Sequence, residues 1–234
     1  MQQPTVTLDM PYQQRRSRLT VFFRYPLAIL PLLWLSIVLF LAGCGVVIAW
    51  FALLITGRYP RALYELSSWA VRYNARVVAY FYLATDRFPG ASPDPPEDHP
   101  VALHVGDRLP AYSRLKVLLR GFLLIPPLLI AYAMRIVALV GAVLAWFVIV
   151  ATGRLPYGLY GILRLGLSYE LRVLPYVMLL TEDWPPFTQD ADVDALRGPD
   201  GGGAAITPAA WSPSSPGVAP ELPGGFDPPA PGGQ

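Results

Sequence analysis

Arginine supplies most of the chemistry this chain could perform. Arg58 and Arg154 stand in two copies of a Thr-Gly-Arg-x-Pro motif, Arg61, Arg72 and Arg76 follow the first copy, and Arg164 and Arg172 follow the second. A guanidinium offers a planar fork of donors and stays charged, so such a set suits phosphate or carboxylate oxygens. Helical spacing puts Arg61, Glu65, Ser68, Arg72 and Arg76 on one stripe, with Leu63, Leu66, Ala70, Val77 and Phe81 opposite. Arg164, Ser168 and Arg172 repeat that stripe. A cationic stripe on an apolar helix is expected to lie in a plane of anionic lipid headgroups. The candidate headgroup contacts are therefore Arg58, Arg61, Arg72, Arg76, Arg154, Arg164 and Arg172.

Other chemistries lack a constellation. His99 and His104 have no Glu-x-x-His or paired-cysteine context, so no metal site is expected. Asp86, Glu182 and Asp183 adjoin Thr85 and Thr181 ahead of prolines and read as turn or cap residues rather than acid–base groups. The single cysteine, Cys44, lies between Gly43 and Gly45 and reads as a small buried hydrophobe. No enzymatic activity, no cofactor and no nucleic-acid partner are expected.

Two apolar runs must position the arginines. Residues 26–55 and 122–151 carry almost no charge, and each exceeds the ~20 residues of a membrane-embedded helix. The chain reads as an all-α integral membrane protein. A shift of ~96 residues places Ser17-Arg18-Leu19 on Ser113-Arg114-Leu115, Arg24 on Arg120, Trp50-Phe51 on Trp146-Phe147, Thr56-Gly57-Arg58 on Thr152-Gly153-Arg154, and Tyr80 on Tyr176. The chain is a tandem duplication, divided as 1–96, 97–188 and a tail, 189–234. Each unit is expected to hold a short strand, a long apolar helix or helical hairpin, and an amphipathic interfacial helix. The strands are Thr5 to Met10 and Val101 to Val105, which alternate in polarity and are expected to pair with each other or with a partner.

Basic collars flank the runs. Arg15, Arg16, Arg18 and Arg24 precede the first, Arg114, Lys116 and Arg120 the second, and Arg58, Arg61 and Arg154 follow them. Positive charge marks the cytoplasmic side, so charge at both ends calls for an even number of crossings. The preferred arrangement bends each run into a hairpin, near Gly43-Cys44-Gly45 and near Tyr132 to Arg135, with both termini cytoplasmic. The other lets each run cross once and the arginine-striped segment return, with Arg72, Arg76, Arg135, Arg164, Glu170 and Arg172 along a polar path. The start shows no signal peptide and is expected to be mature protein.

The block Ile48 to Arg61 (IAWFALLITGRYPR), Arg76 with Tyr80, and Leu180 to Phe187 (LTEDWPPF) resemble the bacterial membrane family known as domain of unknown function 4389. The resemblance covers nearly everything before the tail, in two copies, and implies a location in the bacterial inner membrane. Family members often carry histidine where this chain has Leu32 and Leu128, so no role for that histidine transfers. The family has no assigned activity, so the resemblance adds no chemistry.

Residues 89–100 read as a spacer rich in proline and acid, and the tail turns to Gly, Pro, Ala and Asp, a composition that is expected to be disordered. Trp211 and Phe226 are isolated aromatics there. The expected function is a non-enzymatic membrane scaffold or lipid-interacting protein, with anionic headgroups as partners. An accessory subunit of an envelope complex, engaging a membrane protein through the tail or strands, and a small transporter or channel are the alternatives.

Overall fold

The computed structural model describes residues 6–90 and 99–197. The first repeat runs β1 (Val6–Asp9), α1 (Arg18–Phe22), α2 (Arg24–Thr56) and α3 (Arg61–Phe81). The second runs β2 (Ala102–Val105), α4 (Arg114–Leu118), α5 (Arg120–Leu123), α6 (Ile125–Thr152) and α7 (Tyr157–Val177), and α8 (Asp190–Arg197) follows. The two repeats cluster into one compact unit. Helix α2 and the stretch Arg120–Thr152 are long and apolar enough to cross a membrane. Only 28% of the most apolar window in each is buried, so neither is a core helix.

The expected hairpin bends are absent. Helix α2 runs unbroken through Gly43-Cys44-Gly45, and α6 through Tyr132 to Arg135. A glycine inside a helix costs only ~1 kcal/mol against alanine, less than breaking the backbone ladder in apolar surroundings. Gly45 is also used for packing, since a Cβ there would meet Leu63 and Leu66 of α3 at 3.4 and 3.6 Å. Arg135 tolerates a straight helix because Glu170 of α7 stands 3.8 Å away. Cys44 is exposed on α2 rather than buried, because the helix turns its α3-facing stripe through Ala42, Gly45 and Ala49.

Both long helices stop in the same way. Gly57 and Gly153 take left-handed φ of 70° and 72° and donate to the carbonyls of Leu53 and Ile149. The backbone N–H of Arg58 and of Arg154 then donates to the hydroxyl of Thr56 and Thr152. Pro60 and Pro156 cap the returning helices, so α3 runs back along α2 and α7 along α6.

The repeats interlock head to tail. Arg16 N donates to Gly153 O at 3.1 Å and, at the matching positions, Tyr112 N donates to Gly57 O at 2.9 Å. Trp50 Nε1 reaches Val117 O at 3.0 Å, and Phe22 stacks on Trp146. The start of α2 thus meets the end of α6 and the reverse, which makes the two apolar helices antiparallel. Strands β1 and β2 pair antiparallel, Val6 opposite Val105 and Asp9 opposite Ala102. They pack on α3 and α7, where Tyr64 and Tyr160 donate to the carbonyls of Gly106 and Met10.

Three layers result: α2 with α6, then α3 with α7, then the sheet with α8. On α7, Glu170, Val173 and Leu174 face the apolar helices, while Arg164, Ser168 and Arg172, about half a turn away, face the third layer. Residues 190–197 were expected to be disordered and instead form α8. Asp192 is buried between Arg164 and Arg172, and Ala195 O lies 2.7 Å from where a Gly161 Cβ would stand. The spacer at 91–98 and the tail beyond Arg197, with Trp211 and Phe226, lie outside the described residues.

Candidate functional site

Charge gathers at the two ends, in the arginine face of α7, in two clamps, and in one cavity. At the ends, the closing motif of each repeat meets the collar of the other. A Gly57 Cβ would lie 3.8 Å from Arg114 Nε, and a Gly153 Cβ 3.1 Å from Arg18 Nε. Arg15 and Arg154 form a backbone bridge. Arg15, Arg18 and Arg154 are therefore an exposed basic cluster at one end, and Arg58, Arg114 and Lys116 at the other. Lys116 lies 3.6 Å from Glu182, and exposed Arg61 donates to Glu65 at 2.8 Å. Arg72 is exposed and folds back onto Ser68 O.

Three of the seven expected headgroup contacts are not at the surface. Arg76, Arg164 and Arg172 are buried, at 2%, 7% and 1% exposure. Arg164 donates to Met10 O at 2.7 Å and to Asp192 at 3.2 Å, and Arg172 pairs with Asp192 at 2.7 Å and donates to Phe187 O. The segment after α7 folds back over the stripe that was expected to face lipid. Arg76 lies against the Tyr73 ring in the closely covered second half of α3.

Arg24 and Arg120, read from sequence as members of the basic collars, are buried clamps. Arg24 donates to Tyr80 O at 3.0 Å, to Thr85 O at 2.9 Å and to the Asp86 carboxylate, with its guanidinium 4.6 Å from the Tyr80 ring centre. Arg120 repeats this on Tyr176 O and Thr181 O, 3.6 Å over the Tyr176 ring. The carboxylates complete the pattern as caps: Ser17 N donates to Asp86 and Ser113 N to Glu182. The Arg–Tyr–Thr positions match between the two repeats, but the exposed Arg58 and Arg154 match as well, so recurrence alone did not mark Arg24 and Arg120 as buried.

A cavity of about 440 Å³ opens between α2 and α6 above α3 and α7. Leu35, Leu39 and Ala131 line its sides, and Asn74, Arg135 and Glu170 give it polarity. Arg135 lies 3.8 Å from one Glu170 oxygen, within reach of the Tyr82 hydroxyl. The other oxygen, Oε2, is buried without a hydrogen-bond partner among the described residues. Burial pushes the Glu170 carboxyl above its ordinary range, with Arg135 pulling the other way. At the matching positions the first repeat has Leu39 and Asn74, and it forms the same helices. The ion pair is thus not demanded by the repeat's fold.

The six residues of the expected polar path do not converge. Arg135 and Glu170 face the cavity, Arg164 and Arg172 lie across α7, and Arg72 is at the surface. His99 contacts Val101 and His104 sits in β2, and among the described residues no three His, Cys, Asp or Glu side chains gather to hold a metal.

No curated protein and no solved structure matches the chain. Residues 18–91 and 114–189 each match the family described as Domain of unknown function (DUF4389). These segments take in both clamps, both closing motifs and the cavity residues, and together they exceed half of the sequence, so the chain belongs to that family, in two tandem copies.

Proposed function

We propose that the protein is a non-enzymatic, lipid-interacting membrane protein that seats α2 and α6 side by side in one leaflet. The layering carries this reading. The outward faces of α2, α5 and α6 are apolar, with Leu30, Phe40, Phe122 and Leu129 at least 70% exposed, and large apolar side chains exposed together in this way mark a membrane or protein contact. Asp9 and His104 on the sheet and Asp194 on α8 are exposed on the opposite side of α3 and α7. A slab with one apolar and one polar face lies in an interface, and both basic ends then rest on the same anionic surface. Two helices of ~10 Å diameter in one leaflet displace lipid there, which suits a scaffold or membrane-shaping role.

The antiparallel α2 and α6 support a second reading. If both cross, the repeats are inverted and the cavity sits at mid-depth, as in inverted-repeat transporters. That reading places Asp9, His104 and Asp194 at the depth of the acyl chains, where a charge costs at least ~2.5 kcal/mol.

Single cysteines at Ser17 and Ala62, in a Cys44→Ser background, mark the two ends. In sealed vesicles, an impermeant maleimide is expected to label both from the same side. Labelling from opposite sides would instead establish crossing, and would turn attention to solute flux.

A further inference from the structure

We infer that the cavity between α2 and α6 binds a single-chain lipid with an uncharged, hydroxyl-bearing head, of the monoacylglycerol class. The inference deepens the proposed one-leaflet seat and rests on it for the ligand's route of entry. In that seat α3 and α7 lie at headgroup level, and α2 and α6 lie among the acyl chains. The polar end of the cavity, at Asn74 and Glu170, is therefore at the depth of a lipid head. Its apolar walls, Leu35, Leu39 and Ala131, run toward the bilayer centre. A lipid of the same leaflet enters without turning over. A volume of about 440 Å³ lies within the usual ligand range.

The head class follows from the charges. Arg135 and Glu170 sum to zero, so a head with net charge would leave one of them uncompensated. Their separation of 3.8 Å exceeds the ~2.8 Å of a direct charge-assisted hydrogen bond. Glu170 Oε2 is buried without a partner among the described residues. A hydroxyl donates to that oxygen and accepts from the guanidinium, and a second hydroxyl reaches Asn74 or Tyr132. The Arg135 side chain is 63% exposed and so can be approached by a ligand. The first repeat builds the same framework with Leu39 and Asn74, so Arg135 and Glu170 are free to serve a ligand.

The test uses the full chain in detergent, loaded separately with 1-oleoylglycerol, methyl oleate and oleate, and counts retained ligand by native mass spectrometry. 1-Oleoylglycerol is expected at one per chain, with roughly tenfold weaker retention of methyl oleate, which keeps the chain and the ester but has no hydroxyl. Arg135→Met combined with Glu170→Leu exchanges the ion pair for apolar contacts and is expected to equalise the two. Ala131→Leu narrows the cavity, leaves the ion pair in place, and is expected to reduce 1-oleoylglycerol retention by about the same factor. Equal retention of methyl oleate by the unaltered chain, a preference for oleate, a preference that survives the double substitution, or no retention of 1-oleoylglycerol would each overturn the inference. Vesicle labelling at Ser17 and Ala62 is scored separately. Retention with two-sided labelling rejects the seat and keeps the cavity ligand, and the converse rejects only the ligand.

Discussion

Arg24 and Arg120 hold closed the turns that follow α3 and α7. Those turns contain Leu83 and Leu179 at φ of 64° and 60°, a conformation that costs a non-glycine residue about 1–2 kcal/mol. Ala84 N reaches back to Ala79 O and Leu180 N to Pro175 O, and the guanidiniums take carbonyls that would otherwise be buried and unpaired. Arg24→Met leaves the Tyr80 and Thr85 carbonyls and the Asp86 carboxylate without that partner, and is expected to cost ~3–5 kcal/mol. Exposed Arg18→Met is expected to change stability by under ~0.5 kcal/mol. Thermal unfolding in detergent separates the two. The Glu170 carboxyl gives a second, opposite kind of test. Its folded pKa is raised by burial, so its contribution is present below the unfolded value of ~4.3 and is lost as pH rises through the folded value. Arg135 from α6, with Tyr82 beside it, opposes the shift, and Tyr132 shares the cavity. Denaturant midpoints measured upward from about pH 4 are expected to fall more in the unaltered chain than in Glu170→Gln. At this scale the sequence marked the arginines but not their surroundings, because spacing puts Arg164 and Arg172 on one stripe without saying that Asp192 will cover them.

Among the elements, close helix contact falls on glycines that carry unequal loads. A Cβ at Gly166 of α7 would lie 2.8 Å from both Ala138 Cβ and Met134 O of α6, whereas one at Gly43 of α2 meets nothing within 4 Å. Gly166→Ala is expected to force α6 and α7 apart at about 1–3 kcal/mol. Gly43→Ala is expected to be neutral or to stabilise by up to ~1 kcal/mol through helix propensity. Unfolding of the two variants side by side measures the difference. The end of the first apolar run and the start of the arginine-striped segment at Arg61 were legible because apolar length and Pro60 are local signals. Helix α8 was not legible, since DADVDALR reads as an acidic, poorly apolar octet and gains its order from Arg164, Arg172 and Gly161 of another element. The hairpin bends failed for a related reason: a glycine pair and a lone arginine look like breaks until α3 and Glu170 are seen opposite them.

For the whole molecule, the duplication showed that two like units exist but not that they run head to tail. That fact rests on hydrogen bonds between residues far apart in the chain, Arg16 to Gly153 and Tyr112 to Gly57. It also changes the meaning of charge at both ends. With antiparallel units, a chain that crosses the bilayer puts one basic cluster in each leaflet, whereas the proposed seat puts both in one. Each basic residue near an anionic surface contributes about 1 kcal/mol. Vesicles with anionic lipid confined to the outer leaflet, and protein inserted from outside, separate the arrangements. Neutralising Arg15, Arg18 and Arg154 to Gln, or separately Arg58, Arg114 and Lys116, is expected to reduce enrichment of a fluorescent anionic lipid around the protein to a similar extent. Neutralising both clusters is expected to abolish it. If only one cluster matters, the other lies in the uncharged leaflet, the apolar helices cross, and the polar face of the slab must be buried against a second protein rather than water.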